Sequence, residues 1–285
     1  MNCTFLVNSC DKNSDIWVPF FRLLEIHWPD CPYPIVLNTE SKRFSYGNFD
    51  IKTLSLYSEE ENTSVPFGGG VQWGKRLIET LKLIDTEYVL FTLDDYFFQA
   101  TPDMEKFEQC LEWMDNNVDV TVFYFNRGAE AGVVDGVFPG FEKITADIQY
   151  RIKAQMSLWR KDRLISYIMP HESPWDWEIN ASDRSRGIDE GIYGAEKAGT
   201  VFSYPVSIKV GGVLQKGKWH REAIVPLNKT YKLGIDFTKR GFRLEDKFRV
   251  KVLKAIINFL KTFLKVTGLF SVAKHVYRKI KALKR

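Results

Sequence analysis

Apolar positions along the first half of this chain alternate between two periods. Short apolar runs bounded by polar clusters predict strands at Cys3–Asn8, Ile35–Asn38, Asp50–Leu56, Tyr88–Leu93 and Val118–Asn126. Between them, helical spacing predicts a helix over Trp17–Glu25. A second runs from Gln72 to Ile84, with Trp73, Leu77, Leu81 and Ile84 on one face. A third, opened by Thr101-Pro102-Asp103, carries Phe107, Leu111 and Met114. Strands alternating with helices imply an α/β fold with a mainly parallel sheet. Past Gly128 the pattern loosens into mixed strands and loops, where Gln155, Met156, Leu158 and Trp159 read as a buried strand with a packing role. No internal repeat is visible.

Composition changes this picture little. The chain has 285 residues, 45% apolar, 14% aromatic and 27% charged, which is globular and allows one large domain or two modest ones. The four cysteines (Cys3, Cys10, Cys31, Cys110) show no C-x-x-C spacing and read as free thiols of a reducing compartment. MNCTFLVNSC lacks a basic n-region, so a first strand is expected there and not an export signal. No run approaches the roughly 18 apolar residues of a spanning helix.

Charge changes it more. Residues 239–285 hold 15 Lys/Arg against 2 Asp/Glu, so an acidic body of balance −9 carries a basic tail of balance +13. In the tail Lys247, Lys251, Lys254, Asn258, Lys261 and Lys265 recur every three or four residues, opposite Val252, Leu253, Ile256, Ile257, Leu260, Phe263 and Leu264. A second basic set follows Gly268 at Lys274, Arg278, Lys281 and Arg285. Amphipathic helices of this kind lie on anionic membrane surfaces, the partner expected for 247–285. Packing on the acidic body, or a dimer contact, is the other use of such a face. No nucleic-acid-binding motif accompanies the basic residues, and no nucleic-acid partner is expected.

The candidate chemistry begins at YVLFTLDDYFF, residues 88–98. Asp94 and Asp95 follow an apolar strand, and adjacent carboxylates repel unless a cation lies between them. Ligands of open α/β sheets bind beyond the carboxyl ends of strands, where this pair falls. Without nearby Cys or His, the pair suits a hard divalent cation such as Mg²⁺ bridged to a phosphorylated substrate; a turn at the sheet edge is the plainer account. Upstream, Gly68–Gly70 lead into the helix bearing Trp73 and Arg76, whose start favours an anion and whose arginine suits a diphosphate. A flexible loop with a surface arginine explains the same residues. No G-x-x-x-x-G-K-[ST] occurs, which excludes an ATP-type P-loop.

Taken together, the Trp/Arg helix followed by TEYVLFTLDDYF resembles the nucleotide-sugar half of GT-A glycosyltransferases. AQMSLWRKDRL, ESPWDWEINAS and GGVLQKGKWH resemble a bacterial branch associated with surface-polysaccharide synthesis. The resemblance covers about residues 1–222. It implies a GT-A, Rossmann-like, mainly parallel sheet with flanking helices over 1–238, ahead of the amphipathic helical tail 239–285. The nucleotide-sugar half would be 1–126 and the acceptor half 127–238. It implies a UDP- or GDP-linked sugar donor, a glycan or lipid-linked acceptor, and a DXD-like motif holding Mn²⁺ or Mg²⁺ through Asp95 and Asp94. The enzyme would sit in the cytoplasm, peripheral on the inner face of the cell membrane. The motif departs from the family pattern, because no carboxylate flanks the pair at the x+2 positions. Asp95 is therefore expected on the metal, with Asp94 turned to ribose or water.

The second half supplies the remaining candidates. In HESPWDWEINAS the carboxylates Glu172, Asp176 and Glu178 surround two tryptophans. Sugar C–H faces stack on aromatic rings, and transfer needs a base for the acceptor's proton, so Trp175 and Trp177 are acceptor candidates. The resemblance places the family's acidic residue here, with Glu178 preferred over Asp176 as base. A lid anchor with helix-capping acids is the competing account. In the resembling family a late basic loop closes over the donor phosphates, which implies that role for Lys218 and His220 in GVLQKGKWH; a solvated loop leading into the tail is the competing account. Asp11, after the first strand, is a ribose candidate, with an Asx turn as its alternative. A sugar-phosphate nucleotidyltransferase would place a glycine-rich signature after the first strand, and NSCDKNSD lacks it. A membrane-docked, partner-binding α/β protein would use none of these residues chemically.

Overall fold

The computed structural model describes residues 2–63, 72–126, 132–196, 200–207 and 210–243. Gly68–Gly70 and the amphipathic segments of 247–285 lie outside the described residues. The chain divides into two units, Met1–Arg240 and Gly241–Arg285, and the architecture below is that of the first.

The strands are β1 (Cys3–Asn8), β2 (Ile35–Thr39), β3 (Ile51–Ser55), β4 (Tyr88–Leu93), β5 (Val120–Tyr124), β6 (Phe141–Lys143), β7 (Ser157–Arg160) and β8 (Gly191–Ala195). They form one eight-stranded sheet in the order β3-β2-β1-β4-β7-β5-β8-β6. Pairings β3–β2, β2–β1, β1–β4 and β5–β8 are parallel; β4–β7, β7–β5 and β8–β6 are antiparallel. The sheet is thus α/β with a parallel half and a mixed half. Central strands β1, β2 and β5 are buried at every residue, as strands covered on both faces must be, whereas edge strand β3 is half open.

Successive strand residues point to opposite faces, which sorts the core in two. On one face Leu6, Val89 and Phe91 join Leu77, Leu81, Ile84, Trp159 and Trp177. These side chains belong to the sheet, to α3 (Trp73–Lys82), to the turn after it (Ile84) and to α6 (Pro174–Arg184). On the other face Phe5 meets Trp28 and Phe98, while Phe20 of α1 (Ser14–His27) packs on Phe97 and Phe98. Phe107 of α4 (Met104–Asn116) meets Tyr33, Phe125 and Phe202 there.

The expected strands of the first half appear: β1 and β4 with the expected bounds, β2 one residue longer, and β3 and β5 trimmed by one or two residues at each end, while the first helix runs three residues further at its start and two at its end. Pattern reading passed over α2 (Glu59–Thr63), whose polar sequence carries no apolar stripe, and α5 (Lys161–Ser166), which is only six residues long. The loosely patterned region contributes two short two-stranded pieces, β9–β10 (Val206–Ser207 with Val210–Gly211) and β11–β12 (Leu214–Gln215 with Lys218–Trp219). α7 (Arg221–Tyr231) then closes this part of the chain. All four cysteines are free thiols. Among the described residues, no helix is long and apolar enough to cross a membrane.

Candidate active site

The order β3-β2-β1-β4 makes β1 the strand from which the chain turns first to one side, through β2, and later to the other, through β4. Crevices at such reversals, outside the strands' carboxyl ends, are where open α/β sheets bind ligands. Parallel register pairs Asn8 with Leu93, so Ser9 stands beside Asp94 immediately past the two strand ends.

Asp94 is buried and held on both oxygens. Ser9 Oγ donates a very short hydrogen bond to Oδ2, and Asn13 Nδ2 donates to Oδ1 at 3.2 Å. Ser9 is itself fixed by the Trp17 indole N–H at 2.6 Å. Burial pushes the Asp94 carboxyl up to about 6, partly countered by those hydrogen bonds and by Arg240 and Arg76. Asp95 is half-buried, and burial together with the Asp94 charge raises its pKa well above the carboxylate range. A cation beside two such carboxylates stabilises their charged forms.

A hairpin covers Asp95. Val213 N–H donates to the Asp95 carbonyl at 2.9 Å, and a Cβ on Gly212 (φ +80°) would lie 2.5 Å from Asp95 Oδ2. Only glycine allows this approach. The β11–β12 hairpin turns through Lys216 (φ 51°) and Gly217 (φ 73°), both in the left-handed region that two-residue hairpin turns require. Its end leads to His220, whose N–H donates to Val213 O at 2.9 Å. His220 Nδ1 and Trp219 Nε1 are buried without a hydrogen-bond partner among the described residues, so both retain bonding capacity. Lys218 is exposed on the same hairpin.

The cation beside the aspartates is Arg240, which the sequence pattern had assigned to the basic tail. Its side chain is 8% exposed and grips Asp15 with Nε at 2.8 Å and with Nη2 at shorter range. Nη2 also reaches Lys12 O at 3.0 Å and Asn13 Oδ1 at 3.1 Å. The second side of the site is Glu178 of α6, whose Oε1 accepts from Ala154 N–H at 2.9 Å. The Ala154 carbonyl in turn accepts from Tyr96 O–H at 2.8 Å, so one peptide segment links Glu178 to the residue after Asp95.

Other expected site residues serve the scaffold. Arg76 is 2% exposed; Nη1 donates to Ser9 O at 2.5 Å and to Asn38 O at 3.2 Å, and Nη2 pairs with Glu40 at 3.3 Å. Both terminal nitrogens of its guanidinium are engaged beneath the strand ends, and Nε is buried without a partner among the described residues. The start of α3 is likewise occupied, because Gly74 N–H donates to Glu172 O and Lys75 N–H to Pro170 O. Asp11 accepts from the backbone N–H groups of Glu40, Ser41 and Lys42 and from Ser41 Oγ, which pins the loop after β2 instead of facing ribose. Burial pushes its carboxyl up, but those hydrogen bonds outweigh it and leave the pKa lowered.

In α6 the two tryptophans separate. Trp177 is fully buried, with its indole N–H on Tyr167 O at 3.0 Å and its ring 5.4 Å from Trp73, so neither Trp177 nor half-buried Trp73 offers an open stacking face. Trp175 is 67% exposed and does. Asp176 completes a capping box with Ser173, which lowers its pKa and makes it a poor base. Glu172 is buried against Arg184, Asn180 and the Met169 N–H as a structural anchor.

Sequence reasoning missed Ser9, Asn13 and Arg240. The first two were signalled by their place after β1 once β1 and β4 are neighbours; Arg240 had no local signal. Among the described residues no group of three or more His, Cys, Asp or Glu is placed to hold a metal. Among the described residues the pair thus offers two carboxylate ligands, the donor set of a hard divalent ion that completes its shell with phosphate and water. These residues fit such an ion, which would take the remaining lone pairs of Asp94, engaged by two side chains, and of Asp95, engaged by backbone N–H groups.

No protein-family model and no curated protein matches the chain. Solved structures do. A Staphylococcus aureus TarS structure is 14% identical with a TM-score of 0.45, covering 92% of this chain and 44% of its own length. TarS residues 1–349 in complex with UDP gives 13% identity and a TM-score of 0.45, covering 93% and 74%. The galactosyltransferase LgtC, with donor and acceptor sugar analogues, gives 11% and 0.42, covering 87% and 100%. This chain therefore spans less than half of the first TarS chain, and at such TM-scores the function proposed below rests on the site's own side chains.

Proposed function

We propose that the protein is a glycosyltransferase that moves a sugar from a nucleotide-sugar donor to a glycan acceptor, with a divalent ion assisting at Asp94-Asp95. The observation that carries this reading is the adjacent carboxylate pair at the β1/β4 reversal, with Asp94 fixed by Ser9 and Asn13 and Asp95 half-buried beside it. Bound there, Mn²⁺ or Mg²⁺ would neutralise the donor's diphosphate. The chain's own groups do the rest. Ser9, Asn13 and Trp17 fix Asp94; His220 and Lys218 would supply hydrogen bonds and positive charge to the leaving phosphates.

Glu178 is the base candidate. In the transfer step an acceptor hydroxyl oxygen bonds to the anomeric carbon, its proton passes to the Glu178 carboxylate, and the bond to the β-phosphate breaks to release nucleoside diphosphate. Trp175, exposed one helical turn before Glu178, supplies a face for the acceptor sugar. A lipid-linked acceptor would accord with the basic amphipathic sequence of 247–285 and with a cytoplasmic, membrane-peripheral enzyme.

Thermal stabilisation by UDP, GDP and their sugar conjugates, each with Mn²⁺ and with EDTA, tests the reading. One nucleotide should raise the midpoint only with metal; ligand at a hundred times its Kd adds about 2.7 kcal/mol. Asp95→Ala should abolish that shift. A folded, monodisperse sample that responds to none of them would instead favour a partner-binding protein.

A further inference from the structure

Arg240 is the last residue of the first unit, and its side chain contacts both walls of the aspartate crevice. On one wall it holds Asp15, Lys12 O and Asn13 Oδ1; on the other its Nη1 lies 3.5 Å from Gly217 O, and its guanidinium carbon sits 6.0 Å from the Trp219 ring centre. The first wall reaches Asp94 through Asn13 Nδ2, and the second reaches Asp95 through Val213 N–H. Both aspartates thus hang from elements that meet at one guanidinium.

We propose that Arg240 is a positioning residue that clasps the 11–15 turn to the β11–β12 hairpin and so sets the geometry of the Asp94-Asp95 pair for a phosphorylated ligand. Its planar fork serves Asp15, Asn13 and two carbonyls at once. A lysine ammonium carries the same charge from a single nitrogen and cannot span them. The crevice should therefore depend on the shape of the cation as well as on its charge. The effect on ligand binding rests on the donor-site reading above; the clasp itself does not.

Amide hydrogen exchange on the ligand-free, full-length protein reads the clasp directly. Arg240→Gln and Arg240→Lys should each speed exchange at least tenfold in residues 212–220 and 10–15, with β1 and β4 unchanged. Asp15→Asn, which keeps the arginine but weakens its grip, should produce a smaller increase in the same segments. With UDP and Mn²⁺ as the probe, both Arg240 variants should bind at least tenfold more weakly, and lysine should not rescue glutamine. Unchanged local exchange overturns the clasp, as does an increase spread over the whole chain in all three variants. Full rescue by lysine overturns the geometric argument. Locally faster exchange with unchanged UDP affinity overturns the role in ligand positioning. If the wild type binds no nucleoside diphosphate at all, the donor-site reading fails while the exchange result still decides the clasp.

Discussion

A buried charge that loses its partner is the costliest single defect at the residue scale, and the Arg76–Glu40 pair is the clearest place to create one. Both side chains are under a tenth exposed, and Arg76 ties the carbonyls after β1 and at the end of β2 to one helix. Arg76→Met should cost about 3–5 kcal/mol, read by denaturant unfolding, because Glu40 is left buried without its cation. A loss below about 1 kcal/mol would place Arg76 at the surface role its sequence position suggested. Asp11 gives a pH test on the same loop. Its lowered pKa means that its contribution is present above the ordinary carboxylate value of 3.8 and fades as pH falls through the folded value. The stability difference between wild type and Asp11→Asn should therefore be largest at neutral pH and vanish in acid. The two tryptophans show why sequence could not assign these roles. Trp175 and Trp177 share chemistry and neighbourhood, and only the rotation of α6 against the sheet buries one and exposes the other.

Among elements, the placement of α3 depends on a close approach that one atom would forbid. A Cβ on Gly74 would lie 2.1 Å from the Met169 carbonyl oxygen, which belongs to the backbone and cannot swing aside. Gly74→Ala should separate the helix start from the 169–172 turn and break the Gly74 and Lys75 hydrogen bonds to it. The expected cost is about 1–3 kcal/mol, a fall of several degrees in thermal midpoint. An unchanged midpoint would mean that the helix start and the turn separate without cost. Strands β1, β2, β4 and β5 were legible because their apolar runs are local and uninterrupted, and the Asp pair because it directly follows one of them. Ser9, Asn13 and Arg240 were not, since each acts through a partner that only sheet order and the return of the chain bring near. The occupied start of α3 was hidden for the same reason: its acceptors lie about a hundred residues away.

For the whole molecule, charge is distributed so that an acidic body precedes a strongly basic C-terminal segment, and the two should respond differently to lipid. If the stripe Lys251, Lys254, Lys261 and Lys265 meets an anionic surface, each lysine adds about 1 kcal/mol near that surface at low screening. Replacing all four by glutamine in the full-length chain then removes up to about 4 kcal/mol, close to a thousandfold in partition. Co-sedimentation with phosphatidylserine-rich vesicles should show that loss at low salt, with little binding to neutral vesicles by either protein. Raising salt to about 1 M shortens the screening length to about 3 Å and should bring wild type and variant together, leaving only what the apolar face contributes. Wild-type binding that is equal on neutral and anionic vesicles would assign the lysines to another surface, and the acidic body is the one with the complementary charge. The aspartate crevice should be indifferent to these four substitutions, so the metal-dependent nucleotide shift measured on the same variant separates loss of docking from loss of the site.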